Sequence, residues 1–253
     1  MKQKYTTNAI NLKSYDYGEA DKIVMMYSKD KGLIRCLAKG SKKPNGKLCG
    51  RMDMFVANNL LLTKGKSMDT VSQAEIVNSF FRIRQNTEKM FYSIYCAETI
   101  KNFGEENDEN SDVIYDLLYS VLEKISDSKT EVEIILAVIR FQLKIMQVLG
   151  YAPEFYVCNI CREEIGSNYS LFSYEHGGLI CEHHKLSGGK NIRINPKIKD
   201  FLITLQNSDF NIETSYDKLA NVRVSKPCFD MLKNYIEHCS PKKFNSTKVL
   251  EAI

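Results

Sequence analysis

The sequence lacks long apolar runs and lacks the short signatures of the common enzyme classes. In its 253 residues no apolar stretch approaches the length of a membrane-spanning helix, and residues 1–7 show no signal-peptide pattern. It contains no phosphate-cradling Gly-x-x-x-x-Gly-Lys-Ser/Thr loop, no Gly-x-Ser-x-Gly elbow and no His-Glu-x-x-His pair. We therefore expect a cytoplasmic protein that acts by binding and is not an enzyme.

Cysteine pairs that would indicate disulfides are also scarce. Of eight cysteines, three fall in two short clusters and five are scattered singly, which is typical of a reducing cytoplasm and implies no disulfide framework. The single ones are Cys36, Cys49, Cys96, Cys228 and Cys239. Core packing is the ordinary role of such isolated thiols.

The clustered cysteines predict a metal site. Cys158-x-x-Cys161 is followed by Cys181-x-x-His184, and two pairs with this spacing can supply four ligands to one tetrahedral zinc ion. Four protein ligands leave no open position, so the predicted zinc is structural. One alternative is a Cys158–Cys161 redox pair, although such pairs open a helix after a strand and this one follows a long helical pattern. A second alternative puts His183 in place of His184 as the fourth ligand.

The residues between the two pairs are typical of a small hairpin at about 154–186. Residues 169–174 alternate like a strand, His176-Gly177-Gly178 forms a turn, and Leu179-Ile180 leads back into Cys181. The stretch has few apolar residues. Metal binding is therefore expected to supply much of its folding free energy.

Positive charge is concentrated in one segment without a single Asp or Glu, although the net charge of the chain is only +4. Such a segment predicts contact with a polyanion, either nucleic acid or an acidic membrane surface. It runs over residues 31–51, and its cations are Lys31, Arg35, Lys39, Lys42, Lys43, Lys47 and Arg51.

The N-terminal part, residues 1–78, reads as five short strands that fit an OB-type barrel. The predicted strands are Tyr5 to Leu12, Lys22 to Ser28, Leu33 to Ala38, Met54 to Thr63 and Asp69 to Ile76, with hairpin turns at residues 29–32 and 64–67. The basic gap after the third strand, residues 39–47, is rich in loop formers and predicts a flexible loop. Barrels of this type bind single strands through cations and stacked aromatics, and the candidate stackers are Tyr15, Tyr17, Tyr27 and Phe55. Burial in the barrel core is the alternative for each.

From residue 79 onward the apolar period becomes helical, which predicts an α+β protein with a C-terminal helical domain, 79–253, that contains the zinc hairpin. Ser111-Asp112 and the capping box Thr130-x-x-Glu133 predict two helix starts. Asn195-Pro196 and Lys226-Pro227 predict two more. The segment from Ser240 onward is expected to be mobile.

Several motifs, in this order, resemble the bacterial RecO family of recombinational repair proteins over nearly the whole chain. They are Gly18-Glu19-x-Asp21, Ala38-Lys39-Gly40, Leu48-x-Gly50 with Phe55, Arg140-Phe141, Leu149-Gly150-Tyr151-x-Pro153, Cys158-x-x-Cys161 and Gly177-Gly178-x-x-Cys181-x-x-His184. The chain departs from the family pattern at Asp53 and Met54, where glutamine and proline are usual, and at His184, where many members have cysteine.

The resemblance implies a mediator that binds single- and double-stranded DNA and anneals complementary strands in the nucleoid. It implies contacts with RecR and with the tail of single-strand-binding protein, and assistance to RecA loading. Arg140, beside a predicted apolar groove, is a candidate to receive that acidic tail, with a surface salt bridge as its alternative.

Two other function classes remain open from the residues alone. A zinc-containing RNA-binding or transcriptional adaptor would have the same composition and charge, because neither distinguishes DNA from RNA. A zinc hydrolase requires an open metal position. A zinc deaminase requires a His-x-Glu element and Pro-Cys-x-x-Cys, whereas Val157 precedes Cys158 here.

Overall fold

The computed structural model describes residues 3–166, 170–185, 191–210 and 222–247. Compact packing groups residues 1–127 and 244–253 in one unit and residues 128–243 in another. The predicted domain boundary after residue 78 stays a prediction. The compact grouping divides the chain after residue 127 instead and places three helices with the barrel. No helix among the described residues is both long and apolar enough to cross a membrane.

The N-terminal strands form a closed barrel in which neighbours follow the order β1-β2-β3-β5-β4. All neighbouring pairs are antiparallel except β3 and β5, which are parallel. The strands are β1 Lys4–Tyr17, β2 Asp21–Ser28, β3 Gly32–Ala38, β4 Ala57–Thr63 and β5 Asp69–Asn78. The predicted fold class, an OB-type barrel followed by helices and a cysteine-rich hairpin, is confirmed.

The barrel interior is filled by alternate apolar residues of every strand, as the period-2 pattern requires. Val24, Met26, Cys36, Leu60 and Leu62 are among its fully buried members. β1 continues past the predicted end at Leu12 because an irregularity between Asn11 and Lys13 lets the strand bend and keep pairing with β2. The predicted fourth strand begins later, at Ala57.

Three helices complete the first unit: α1 Phe81–Arg84, α2 Thr87–Phe103 and α3 Ser111–Asp127. The C-terminal segment also belongs to it. Phe244 is 7% exposed and its ring centroid lies 5.9 Å from that of Tyr95 on α2. The expectation of a mobile segment from Ser240 onward is therefore wrong for residues 244–247, and residues 248–253 lie outside the described residues.

The second unit contains the helices α4 Glu131–Val148, α5 Pro196–Asn207 and α6 Val222–Cys239. α4 packs against both α5 and α6. The Thr130 hydroxyl accepts the Glu133 backbone N–H at 3.3 Å, and the Asn195 side chain accepts the Ile198 N–H at 2.9 Å, so both predicted caps are confirmed. The last helix, predicted to begin at Pro227, already includes Val222, and Pro227 lies inside it.

A small sheet with the order β7-β6-β8 accompanies these helices. Its strands are β6 Ser170–Ser173, β7 Gly178–Ile180 and β8 Asn191–Ile194. Tyr169, the predicted start of β6, lies outside the described residues. The strand β8 was not predicted. All of β6 is buried, and Phe172 packs edge-on against Tyr235 of α6 with ring centroids 5.5 Å apart.

Candidate metal centre and nucleic-acid interface

Four side chains converge beside β7 with the ligand atoms of a metal centre. The sulfurs of Cys158, Cys161 and Cys181 and a ring nitrogen of His184 all lie within 4.8 Å of one another. The predicted four residues are thus brought together, and His184 rather than His183 occupies the fourth corner. The redox alternative lacks its helix, because Cys158 and Cys161 flank a turn.

Backbone hydrogen bonds hold this arrangement. The Cys158 N–H donates to the Glu163 carbonyl at 2.8 Å, and the Arg162 N–H donates to the Cys158 carbonyl at 2.8 Å, so the first pair sits in a tight loop. The Asn159 N–H donates to the Leu179 carbonyl at 2.7 Å, which ties that loop to β7. A short 3-10 turn, Glu182–His184, then brings His184 back toward Cys181.

The spacing of the ligand atoms fits one tetrahedral ion. The Cys161 and Cys181 sulfurs are 3.9 Å apart, and Cys158 Sγ lies 3.8 Å from His184 Nδ1. A tetrahedral zinc with Zn–S bonds of about 2.3 Å and a Zn–N bond of about 2.0 Å places two sulfurs about 3.8 Å apart and a sulfur and a nitrogen about 3.5 Å apart. Cys181 Sγ lies closer to His184 Nδ1, at 3.0 Å. These residues can hold a soft divalent cation, and three thiolates with one imidazole are ligands that zinc prefers.

Burial, backbone N–H groups and neighbouring sulfurs shift the pKa values of two of the thiols. Burial would raise the pKa of the Cys158 thiol, but backbone N–H groups of Cys161, Cys181 and Ile160 outweigh burial and lower that pKa to about 6. The Glu163 N–H favours the Cys161 thiolate, yet desolvation and the Cys158 and Cys181 sulfurs prevail and raise the pKa of Cys161 to about 11. A cation among the sulfurs would relieve this repulsion.

The basic segment folds onto the barrel end. Within residues 39–47, the predicted flexible loop, Ser41 is 4% exposed and the Lys42 N–H donates to the Ala20 carbonyl at 3.0 Å, so this loop is packed against the barrel. Leu48 and Met52 are 6% and 1% exposed and join the barrel core. The Asn11 amide donates to the carbonyls of Arg51 and Asp53, at 2.8 Å each. We call residues 39–56 the basic cap. Its core contacts are long-range, which is why the local composition rich in loop formers did not reveal them.

The cations of the basic cap differ in their surroundings. Lys39, Lys43 and Lys47 are exposed, whereas Lys42 Nζ lies 2.8 Å from a carboxylate oxygen of Asp16. Arg51 is half-buried, and its Nη1 donates to the Lys47 carbonyl at 2.6 Å. Lys47 and Arg51 also line an open groove of about 460 Å³ whose other walls come from β1, β4 and β5.

The four aromatic candidates separate into two classes. Tyr27 and Phe55 are fully buried and belong to the core, whereas Tyr15 and Tyr17 are 45% and 54% exposed. Tyr15 and Tyr17 project from the same face of β1, since they are two residues apart on a strand. Lys13 precedes them on that face, and its Nζ lies 5.0 Å from the Tyr15 ring centroid.

Strand register extends this face across three strands. Lys13 lies opposite Met25, which lies opposite Arg35, and residues paired in register share one face of a sheet. The neighbouring row is Tyr15, Ile23 and Leu37. We call this surface, made of the outward residues of β1, β2 and β3, the outer face. It places the exposed Arg35 in one row with Lys13, with Met25, which is 7% exposed, between them.

Arg140 is buried in the second unit. It is 5% exposed, and its Nη1 donates to Ser208 Oγ at 2.8 Å and to the Asp209 carbonyl at 3.3 Å. Nearby, Lys144 Nζ donates to the Gln206 carbonyl at 2.9 Å, and burial lowers the pKa of Lys144. Both cations lie at the carbonyl-rich end of α5, where positive charge is stabilised.

Comparison with known proteins gives consistent matches over nearly the whole chain. Sequence profiles described as Recombination protein O N terminal and Recombination protein O C terminal match residues 1–80 and 84–248. The proteins called DNA repair protein RecO include one from Desulforamulus reducens, 29% identical over 98% of this chain and 94% of its own length. Another, from Dehalococcoides mccartyi, is 33% identical over 70% of this chain and 68% of its own length. A third, from Alkaliphilus metalliredigens, is 27% identical over 98% of both chains.

Proposed function

The chain belongs to the RecO family of recombination proteins, and from this premise we propose that it is a DNA-binding mediator of recombinational repair. Family membership supports a role in recombinational DNA repair. The finer proposal is that the chain binds single- and double-stranded DNA, anneals complementary strands, and works with RecR to assist RecA loading on strands covered by single-strand-binding protein. We propose that it does so without catalysing a reaction itself.

The observation that carries this proposal is the combination of exposed aromatics and cations on the barrel. Tyr15 and Tyr17 offer two rings on which bases can stack, and such stacking contributes about 1–3 kcal/mol per base. Arg35 on the outer face and Lys39, Lys43 and Lys47 in the basic cap can neutralise the phosphates of a bound strand. Lys42 and Arg51 are proposed to contribute less, since each already has a protein partner.

Annealing follows from the same charges. Two complementary strands repel each other through their phosphates, and a surface that releases the counterions of both allows the strands to approach. The lysines of the basic cap would contact phosphates and not base edges. The proposed binding therefore has little sequence preference.

We propose that Cys158, Cys161, Cys181 and His184 hold one structural zinc ion. Four protein ligands fill the tetrahedron, so the ion would stabilise the loop around β6 and β7 and would not activate water. A zinc hydrolase requires an open position on the metal, so an ion with four protein ligands argues against that function class.

The proposed contact between Arg140 and the acidic tail of single-strand-binding protein would need a change near α5. The guanidinium now bonds to Ser208 and Asp209, so a carboxylate would have to compete with those acceptors or bind beside them. Arg140→Ala would test the contact only with a check that α5 remains in place.

The experiment that tests DNA binding is a salt series with labelled single-stranded DNA. Each phosphate contact contributes a slope of about −0.7 on a log–log plot. Replacing Lys42, Lys43 and Lys47 by alanine should flatten the plot by about 1.4–2.1, and annealing should weaken in parallel. A Lys129→Ala/Lys197→Ala variant, altered at two exposed lysines of the second unit, is the control for loss of charge.

An unchanged slope in a triple variant that is folded and zinc-loaded would show that the cap does not bind the strand. Competition between DNA and RNA oligonucleotides of one sequence separates the DNA-repair proposal from an RNA-binding adaptor, because only RNA offers 2′-hydroxyls. Stronger competition by RNA would favour the adaptor.

A further inference from the structure

The β4–β5 hairpin forms one wall of a pocket to which the proposed function assigns no role. The pocket has a volume of about 290 Å³ and includes the turn residues 64–67. Its other walls come from Tyr5 at the start of β1, Lys31 in the β2–β3 turn, Ile34 and Arg35 on β3, and Glu106 and Asn107 after α2.

Four cations from separate parts of the sequence meet in this pocket: Lys31, Arg35, Lys64 and Lys66. Among the described residues none of the four forms an ion pair with a carboxylate. Arg35, Lys64 and Lys66 are exposed, while Lys31 is half-buried with its Nζ 4.4 Å from the Tyr5 ring centroid. Their positive charge is therefore available to a ligand.

The acidic residues of the pocket do not balance these cations. Asp69 accepts a hydrogen bond from the Tyr5 hydroxyl at 2.5 Å and another from the Gly65 N–H at 3.0 Å, so both its oxygens are engaged. Only Glu106 remains as a second carboxylate in the lining. The turn between β4 and β5 requires glycine at position 65, because a Cβ there would lie 1.8 Å from the Met68 carbonyl oxygen. Lys64 and Lys66 flank this glycine in the sequence.

The pocket and the basic cap lie at opposite ends of β3. Lys31 directly precedes this seven-residue strand and Lys39 directly follows it. A strand of that length spans about 20–25 Å at about 3.3 Å per residue. Arg35, halfway along β3, belongs both to the pocket lining and to the outer face.

We propose that this pocket is a second phosphate-binding site for the nucleic-acid backbone. The strand whose phosphates bind the basic cap would cross the outer face and place further phosphates among Lys31, Arg35, Lys64 and Lys66. This inference rests on the proposed function for its first contact point, the cap. Lysine and arginine suit phosphate oxygens.

A length series of oligo(dT) tests the proposal with wild type, Lys64→Ala/Lys66→Ala and the Lys129→Ala/Lys197→Ala control. A stacked strand that rises about 3.4 Å per nucleotide needs about seven nucleotides to reach from cap to pocket. Affinity of the wild type and the control should therefore rise steeply between lengths of about four and about twelve. The hairpin variant should lose most of that rise, and its salt plot with the longer strand should flatten by about 1.4.

Identical length and salt dependence in wild type and the folded hairpin variant would overturn the second site. That result leaves the proposed function intact if the cap variant still weakens binding. A glutamate-rich peptide that competes better than oligo(dT) of equal charge would also overturn the proposal, since it would assign the pocket to an acidic protein segment.

A probe without nucleic acid separates failure of this inference from failure of the proposed function. Inorganic tripolyphosphate should slow the chemical modification of Lys64 and Lys66 several-fold and leave Lys129 and Lys197 unchanged. Protection without any binding of DNA would contradict the proposed function and leave an anion pocket. Equal modification rates with and without tripolyphosphate would contradict the pocket itself.

Discussion

Glu98 anchors the C-terminal segment to α2, and its charge is expected to stabilise the first unit. The carboxylate is 8% exposed and accepts the backbone N–H groups of Ser246 at 2.7 Å and Asn245 at 3.0 Å. Lys101 Nζ donates to its other oxygen at 2.9 Å. Burial would raise the pKa of Glu98, but these donors outweigh burial and lower it from 4.5 to about 2.

The informative change is Glu98→Gln, which keeps the shape and removes the charge. A glutamine has one oxygen, so its NH₂ group must face either the two backbone N–H groups or the Lys101 ammonium. Hydrogen bonds to charged groups contribute about 1.5–3 kcal/mol each. The pKa shift alone corresponds to about 3 kcal/mol before solvent screening reduces it. We expect a loss of about 1–3 kcal/mol in the unfolding free energy near neutral pH.

The pH dependence provides the sharper test. Because the folded-state pKa is depressed, the stabilisation is fully present above about pH 4.5 and is lost as the pH falls toward about 2. The gap between wild type and Glu98→Gln in denaturant unfolding should therefore narrow in acid. Glu123→Gln, at an exposed position of α3, is the control.

Hydrogen exchange gives a local readout of the same contact. The amides of Asn245 and Ser246 should exchange faster in Glu98→Gln, because their acceptor has lost its charge. Equal unfolding free energies at neutral pH, or a gap that persists unchanged in acid, would refute the assignment of stability to this carboxylate.

Three further changes test the metal centre, the cap and a turn. The purified protein should contain one zinc ion, and Cys161→Ser should lose it and unfold more easily; metal analysis that finds full occupancy in this variant would contradict the ligand set. Met52→Ala should cost about 2–5 kcal/mol in denaturant unfolding, because Met52 fills the barrel end, whereas exposed Cys49→Ser should be near neutral; equal effects would mean that the cap is not packed. Gly32→Ala should lower the thermal midpoint, since Gly32 has φ +64° and a Cβ there would lie 2.3 Å from the Glu105 carbonyl oxygen; an unchanged midpoint would contradict that geometry.

Local chemistry made much of this protein predictable from its sequence. The doubled x-x spacing brings Cys158, Cys161, Cys181 and His184 together because each pair lies within one short turn, and a turn is decided by neighbouring residues. The same reasoning applies to the caps at Thr130 and Asn195, whose side chains bond three residues along the chain. Alternation of apolar residues indicated the barrel strands for the same reason, since side chains alternate between the two faces of a strand.

Contacts between distant residues decided the rest. Composition made the basic segment resemble a flexible loop, but Leu48 and Met52 enter a core built by other strands, and Asn11 bonds to carbonyls 40 and 42 residues away. The helical start predicted at Pro227 was wrong because the five preceding residues continue the helix despite their weak signal.

Exposure and charge clustering likewise belong to the tertiary structure. Tyr15 and Tyr27 lie on the same outward side of the barrel by strand register, yet Tyr15 is 45% exposed and Tyr27 is fully buried. The segment after α2 covers Tyr27, whose hydroxyl donates to Asp108 at 3.1 Å. Lys64 and Lys66 join Lys31 and Arg35 only after the barrel closes. The sequence by itself therefore determined which chemical groups are present and how each short turn folds, whereas closure of the barrel decided which of these groups can meet one ligand.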